Sequence, residues 1–284
     1  DAEFIGAGPQ TLAELVEGRH GFTDVLSKVE RPMLILGQGA LARSDGAGIF
    51  AQALALADKT NMILEGWNGF NVLHTAAGRV GGMDVGFLPG EGGRDRNGII
   101  EGCKSGDIST VILYGADEID RAELGGVFVI YVGSHGDRGA HGADVILPAA
   151  AYTEKQAIFV NTEGRAQMSE RAAFPPGDAR EDWKIFRALS DHLGATLEFD
   201  TVDALRAVMF ERTPHLARLD ELVSAGEPEK PVVNVTELDA AAFAPALTDY
   251  YFTNPIARAS ATMAACAEAK RERAKAIGGT GTDG

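Results

Sequence analysis

The stretch PMLILGQGALARSDGAGIFAQALALADKTNMILEGW, residues 32 to 67, constrains the fold of this chain more than any other. It reads as an apolar strand at 33 to 36, a glycine turn, a helix near 45 to 58 capped by Ser44 or Asp45, and a second strand at 61 to 64. A strand, a helix and a strand of these lengths form a βαβ unit, whose strands run parallel because the helix returns the chain to the starting edge. Two further runs, TVILYG at 110 to 115 and VFVIYVG at 127 to 133, are also continuously apolar and bounded by glycine. A run that does not alternate needs both faces covered, which antiparallel hairpins do not provide. The expected class is therefore α/β, a mainly parallel sheet with helices on both faces. Runs 33 to 36, 61 to 64, 110 to 114 and 127 to 132 would share one sheet, with helices 45 to 58 and 181 to 193 covering it.

The remaining elements follow from period and punctuation. Leu12, Leu15 and Val16, then Phe22, Val25, Leu26 and Val29, mark two amphipathic helical stretches that Pro32 stops, giving a helical connector over 1 to 32. Residues 67 to 93 are glycine-rich and fit neither period, so they read as irregular with a short helix near 70 to 77. Ile99 to Ser105 is a helix or turn. Trp183, Phe186 and Leu189 at three-residue spacing, with Ile185, Leu189 and Leu193 at four, predict a helix ended by Gly194. A further helix is expected at 201 to 212, completing an α/β domain over 33 to 223. An extended segment follows at 224 to 255, and then, over 256 to 284, a helix to about 276 and a disordered Gly/Thr tail.

Charge and cysteines narrow the function. With 41 acidic against 26 basic side chains the net charge is -15, which repels phosphate backbones and anionic bilayers, so nucleic acid is excluded as an expected partner. Cys103 and Cys266 are isolated, which predicts free thiols rather than a disulfide framework or a thiolate cluster. No apolar run approaches the roughly 20 residues that span a bilayer, so direct membrane insertion is not expected. The absence of a basic leader with an apolar core points to a soluble chain in a reducing compartment. The chain starts at Asp1 without a methionine, which reads as a piece of something longer.

Three stretches carry residues that could hold a ligand. Gly37, Gly39 and Ala42 fit the G-x-G-x-x-A form of a dinucleotide turn, and Glu65 ends the next strand where a ribose carboxylate would sit. The helix, however, begins at Ser44 or Asp45, after the glycines, so its N-terminus is not aimed at a pyrophosphate held by them, and a relic of a nucleotide fold is the better reading. GSHGDRGAHGAD gathers His135, Asp137, His141 and Asp144, ligand types that suit zinc or iron, but its glycines leave the loop without the rigidity a metal site needs. A strand-to-loop crossing at the carboxyl edge of the sheet accounts for it better. IFVNTEGRAQ reads as a strand, a turn in which Gly164 takes positive φ, and a return strand. There Asn161 and Thr162 can cap their own backbone, and Glu163 can pair with Arg165. No Ser/His/Asp or Cys/His grouping supplies a nucleophile, so no catalytic residue is expected.

The run ADVILPAAAYTEKQAIFVNTEGRAQ resembles the signature of the molybdopterin oxidoreductase family. GDRGAHGADVILPAAAYTEK, PPGDAREDWKIFRALSDHLG and DYYFTNPIARASATMAACAEA resemble, more narrowly, the C-terminal half of the large iron-sulfur subunit family of proton-pumping NADH:quinone oxidoreductase, respiratory complex I. The resemblance implies a molybdopterin-oxidoreductase-like domain that has lost its cofactor and serves a structural role in the peripheral arm of that complex. Its partners would then be other subunits of the arm. It further implies iron-sulfur clusters on an N-terminal part outside this sequence, and none here, since a cluster needs about four thiolate or imidazole ligands. Asn161, Glu163, Gly164, Arg165 and Gln167 would be vestiges of a pterin site, with no metal ligand among them. The implied location is the cytoplasmic face of a bacterial inner membrane or the matrix face of the mitochondrial one. The alternative is a live molybdopterin enzyme, or a fragment of one, whose guanine dinucleotide is lined by those residues.

Overall fold

The computed structural model describes residues 2–223 and 237–276. The chain forms two compact units, one from Asp1–Val80, Val160–Arg165 and Leu222–Thr248, the other from Gly81–Phe159, Ala166–Glu221 and Asp249–Gly284. Of the expected extended segment, 224 to 236 lie outside the described residues, as does the expected tail at 277 to 284.

In the first unit, β1 (Leu34–Gly37) is the strand expected from LILG; a short helix, Gln38–Leu41, stands where a glycine turn was expected, and the helix Gly46–Lys59 follows. The next strands depart from the βαβ reading. β2 (Ile63–Leu64) turns back at once into β3 (Trp67–Asn68), pairing antiparallel, and so does not join β1. The parallel partner of β1 is β4 (Phe70–Leu73), where a short helix near 70 to 77 was expected. The cause is local: Phe70 and Val72 are strand-forming residues that a glycine-rich surrounding disguises. Phe70 also gains an edge-on contact with Phe50 of the helix, ring centroids 5.9 Å apart. The unit's core lies on one side of this two-stranded sheet, where Leu36, Ile49 and Ala53 pack with Leu34 and Phe70. Leu15, on the expected first helix (Pro9–Glu17), packs with Leu56, Ala57 and Met62. Ile35, between two core residues on β1, is 58% exposed. The alternating burial shows that the apolar run does not have both faces covered here.

In the second unit β5 (Thr110–Tyr114), β6 (Phe128–Gly133) and β7 (Val145–Pro148) form a parallel sheet in that order. Leu113, Val129 and Tyr131 point to one face and are buried with Ile100, Cys103 and Leu124 from the helices Arg96–Ser105 and Arg121–Leu124. On the opposite face Tyr114 meets Phe186 of the helix Asp182–His192 edge-on at 5.1 Å. This sheet thus has helices on both faces, as the class requires. β1 and β5–β6 belong to separate sheets, so the single shared sheet is corrected to small parallel ones. The hairpin strands β8 (Ala157–Val160) and β9 (Ala166–Ser169) pair with each other.

The helix at 182–192 ends in Gly194 at φ 69°, the left-handed stop expected of it. The helix at 202–212 is also present. The helix expected over 256 to 276 is split into Pro255–Arg258 and Ala261–Ala276. Ser260 makes the break: its hydroxyl accepts the Met263 N–H at 3.3 Å, so a new helix starts there.

Candidate functional site

The signature turn closes on itself. Asn161 Oδ1 accepts the Glu163 N–H at 2.9 Å and the Arg165 N–H at 3.0 Å, an Asx turn built by the side chain. The Asn161 N–H donates to the Arg165 carbonyl at 3.1 Å, and the Gly164 N–H to the Asn161 carbonyl at 3.0 Å. Gly164 sits at φ 81°, the left-handed conformation expected of it. The Arg165 guanidinium lies 3.6 Å from the Glu163 carboxylate, and Asn161 Nδ2 lies 3.5 Å from the same group. Thr162, Glu163 and Gln167 are exposed.

A pterin dinucleotide needs a walled cleft with polar groups converging into it. Here the polar groups of Asn161, Glu163 and Arg165 converge on one another. Two open grooves among the described residues are lined elsewhere, by Gly37–Ala40, Leu73, Thr75 and Phe243–Leu247, and by Ser44, Asp45 and Glu237–Asp239. Asn161, Glu163 and Arg165, engaged with one another, therefore do not fit the cofactor as arranged in this structure.

The loop 133 to 144 does not assemble a metal site. The Asp137 carboxylate takes the Arg258 Nε–H at 2.9 Å and the Arg138 N–H at 2.5 Å. Asp144 accepts the Val129 N–H at 2.7 Å and faces Arg121 at 3.5 Å, while His135 Nδ1 pairs with the Ser134 hydroxyl. Among the described residues no group of three or more His, Cys, Asp or Glu side chains is placed to hold a metal ion. Glu65 is exposed in the β2–β3 turn and not on β4, the neighbour of β1, so a ribose carboxylate is lacking where the dinucleotide reading put it.

Two buried carboxylates organise the carboxyl edges of the sheets, and sequence reasoning missed both roles. Asp117, 1% exposed and just beyond β5, receives the Asp137 N–H at 2.9 Å on both oxygens and the Gly139 N–H at 3.1 Å. The Arg258 guanidinium reaches it at 2.8 Å. Asp45 was expected as a helix cap; its side chain makes no cap bond and instead pairs with Arg43 at 2.8 Å and accepts the Asp239 N–H at 2.9 Å. The hydrogen bond from Arg43, against the opposing effect of burial and helped by the Asp239 N–H, holds the Asp45 carboxyl below the usual carboxylate range. For Asp117 the available signal was an acid just after a strand, where open α/β sheets place ligand-binding groups. The partners of Asp117 and Asp45 lie 141 and 194 residues away in sequence, beyond the reach of any local pattern.

The family model described as molybdopterin oxidoreductase matches residues 1–192, and the chain belongs to that family. A second model, which describes the C-terminal part of one particular NADH-ubiquinone oxidoreductase subunit, matches residues 224–266. The chain is 40% identical to the potato (Solanum tuberosum) NADH dehydrogenase (ubiquinone) iron-sulfur protein 1, mitochondrial, over 94% of its own length and 35% of the relative's. It is 40% identical to the NADH-ubiquinone oxidoreductase 75 kDa subunit of Reclinomonas americana, over 94% of this chain and 38% of that one. The mitochondrial 78 kDa subunit of Neurospora crassa is 38% identical over 95% and 36% of the two chains. The chain thus spans a little over a third of the length of the curated relatives it matches. No helix among the described residues is long and apolar enough to cross a membrane.

Proposed function

We propose that the chain is a cofactor-free structural part of the iron-sulfur subunit of a respiratory NADH:quinone oxidoreductase, in its peripheral arm. It supports the cluster-bearing part of the subunit and neighbouring subunits, and does no chemistry itself. The observation that carries this reading is the signature turn: the polar groups of Asn161, Glu163 and Arg165 are engaged in closing the hairpin. The match of residues 224–266 to a subunit-specific family model supports the assignment to this complex over a molybdenum enzyme. NADH oxidation, quinone reduction and the clusters between them would belong to residues outside this sequence, and the chain would be peripheral to the membrane, on the matrix or cytoplasmic side.

The test is a paired measurement on Gly164→Val. Thermal unfolding of the domain is followed beside the metal content and NADH:quinone turnover of the assembled complex. The expected result is a lower melting temperature, with cofactor content unchanged in whatever complex still assembles and no stoichiometric molybdenum or tungsten before or after mutation. Loss of a bound cofactor at an unchanged melting temperature would overturn the scaffold role and favour the live molybdopterin enzyme.

A further inference from the structure

The carboxyl edge of the β1–β4 sheet is where an open α/β sheet binds its ligand. An open groove of about 410 Å³ lies there, with Gly37–Ala40, where β1 turns into the short helix Gln38–Leu41, and Leu73 and Thr75 at and just past the end of β4 on one side and Phe243–Leu247 on the other. At Gly39 an added Cβ would lie 2.6 Å from the Ala246 Cβ. That is nearer than van der Waals contact permits, and the Gly39 backbone is not in the left-handed region. Glycine is needed here for space rather than for backbone freedom. In a dinucleotide fold the second glycine of the turn makes room for a pyrophosphate; here the same gap receives the methyl group of Ala246.

The segment leading to Ala246 is held by side chains from just beyond the same turn. Arg43 Nη1 donates to the carbonyls of Ala241 and Ala242 at 3.0 and 3.1 Å, and its guanidinium lies 5.4 Å from the Phe243 ring centroid. The buried Asp45 orients Arg43 and accepts the Asp239 N–H, while the Phe243 N–H donates to the Ala7 carbonyl at 2.7 Å. A buried acid spent on a backbone amide 194 residues away is a built contact.

We propose that residues Phe243–Leu247 are a strap that occupies the former ligand crevice at the carboxyl edge of β1–β4, clamped there by Arg43 and Asp45 and seated on Gly39. This goes beyond the scaffold role, because it identifies what took the ligand's place and would hold in whatever assembly the chain works.

The test is compensation. Gly39→Ala in the full chain should lift Ala246, and hydrogen–deuterium exchange at the Asp239 and Phe243 amides should accelerate at least tenfold. Adding Ala246→Gly removes the methyl group that the new Cβ meets, and exchange should return to within threefold of the parent. Arg43→Gln, which leaves the turn intact, should also accelerate exchange at both amides. Unchanged exchange in Gly39→Ala or in Arg43→Gln would overturn the proposal. So would failure of Ala246→Gly to restore protection, including a double variant that remains unfolded.

Discussion

Replacing Arg258 by methionine should destabilise the chain by about 2–3 kcal/mol. The Asp117 side chain is fully buried, and Arg258 is its charged partner at 2.8 Å. Removing one member of a buried ion pair costs roughly 3–5 kcal/mol, because a charge is left in a medium that solvates it poorly. Two features reduce the figure here. Asp117 keeps the N–H groups of Asp137 and Gly139, and 26% of the Arg258 side chain is already in contact with water. Methionine retains much of the apolar stem, so most of the loss is electrostatic. Urea unfolding of the full chain, compared among parent, Arg258→Met, Asp117→Asn and the double variant, measures it. If the penalty is an unpaired charge, neutralising Asp117 removes part of it, and the double variant should lose at least about 1 kcal/mol less than the sum of the singles. A loss below about 0.5 kcal/mol for Arg258→Met, the range of an ordinary surface change, or strict additivity, would refute the reasoning.

Gly164→Val should cost roughly 1–3 kcal/mol from backbone strain, since its φ of 81° is unfavourable for a β-branched residue and nothing lies within 4 Å of an added Cβ. Gly164→Asn should lose less, because asparagine tolerates this conformation; equal losses in thermal unfolding would show that strain is not the cause. The lowered pKa of Asp45 means that its carboxylate form contributes stability at neutral pH. That contribution is lost as pH falls from the unfolded value of about 3.9 through the lower folded value. The urea midpoint should therefore drop less between pH 5 and pH 3 in Asp45→Asn than in the parent, and identical drops would count against the pairing. Ile49→Ala, at a fully buried site, should cost about 2–5 kcal/mol, whereas Ile35→Thr on exposed β1 should stay within about 1 kcal/mol, both read by urea unfolding.

The sequence by itself determined the elements whose signal is local. Leu34–Gly37, Thr110–Tyr114 and Phe128–Gly133 are continuous apolar runs next to glycine, and the helices Gly46–Lys59 and Asp182–His192 carry their own periodicity. The signature turn was legible too, because an asparagine and a glycine three residues apart suffice to close it and both act within the turn. The parallel pairing of 110 to 114 with 127 to 132 was legible, but the pairing in the first unit was not. β4 rather than 61 to 64 became the neighbour of β1 because Phe70 could reach Phe50 and Leu34 in the core, a gain that depends on where the helix lies. For the same reason Ile35 could not be told from Leu34 and Leu36 until the sheet showed which face was covered.

The candidate site divides along the same line. Asn161, Glu163, Gly164 and Arg165 could be named from the chain, yet whether they open toward a ligand or close on themselves depends on distances that tertiary structure alone supplies. In the sequence Asp45 reads only as a helix cap and Asp117 carries no signal, and they became organising groups because Asp239 and Arg258 arrive from far along the chain. Spacing along a helix or strand is encoded every few residues, so local pattern reveals it. The meeting of residues 141 or 194 positions apart is set by the free energy of the whole packed unit, and only the folded chain decides it.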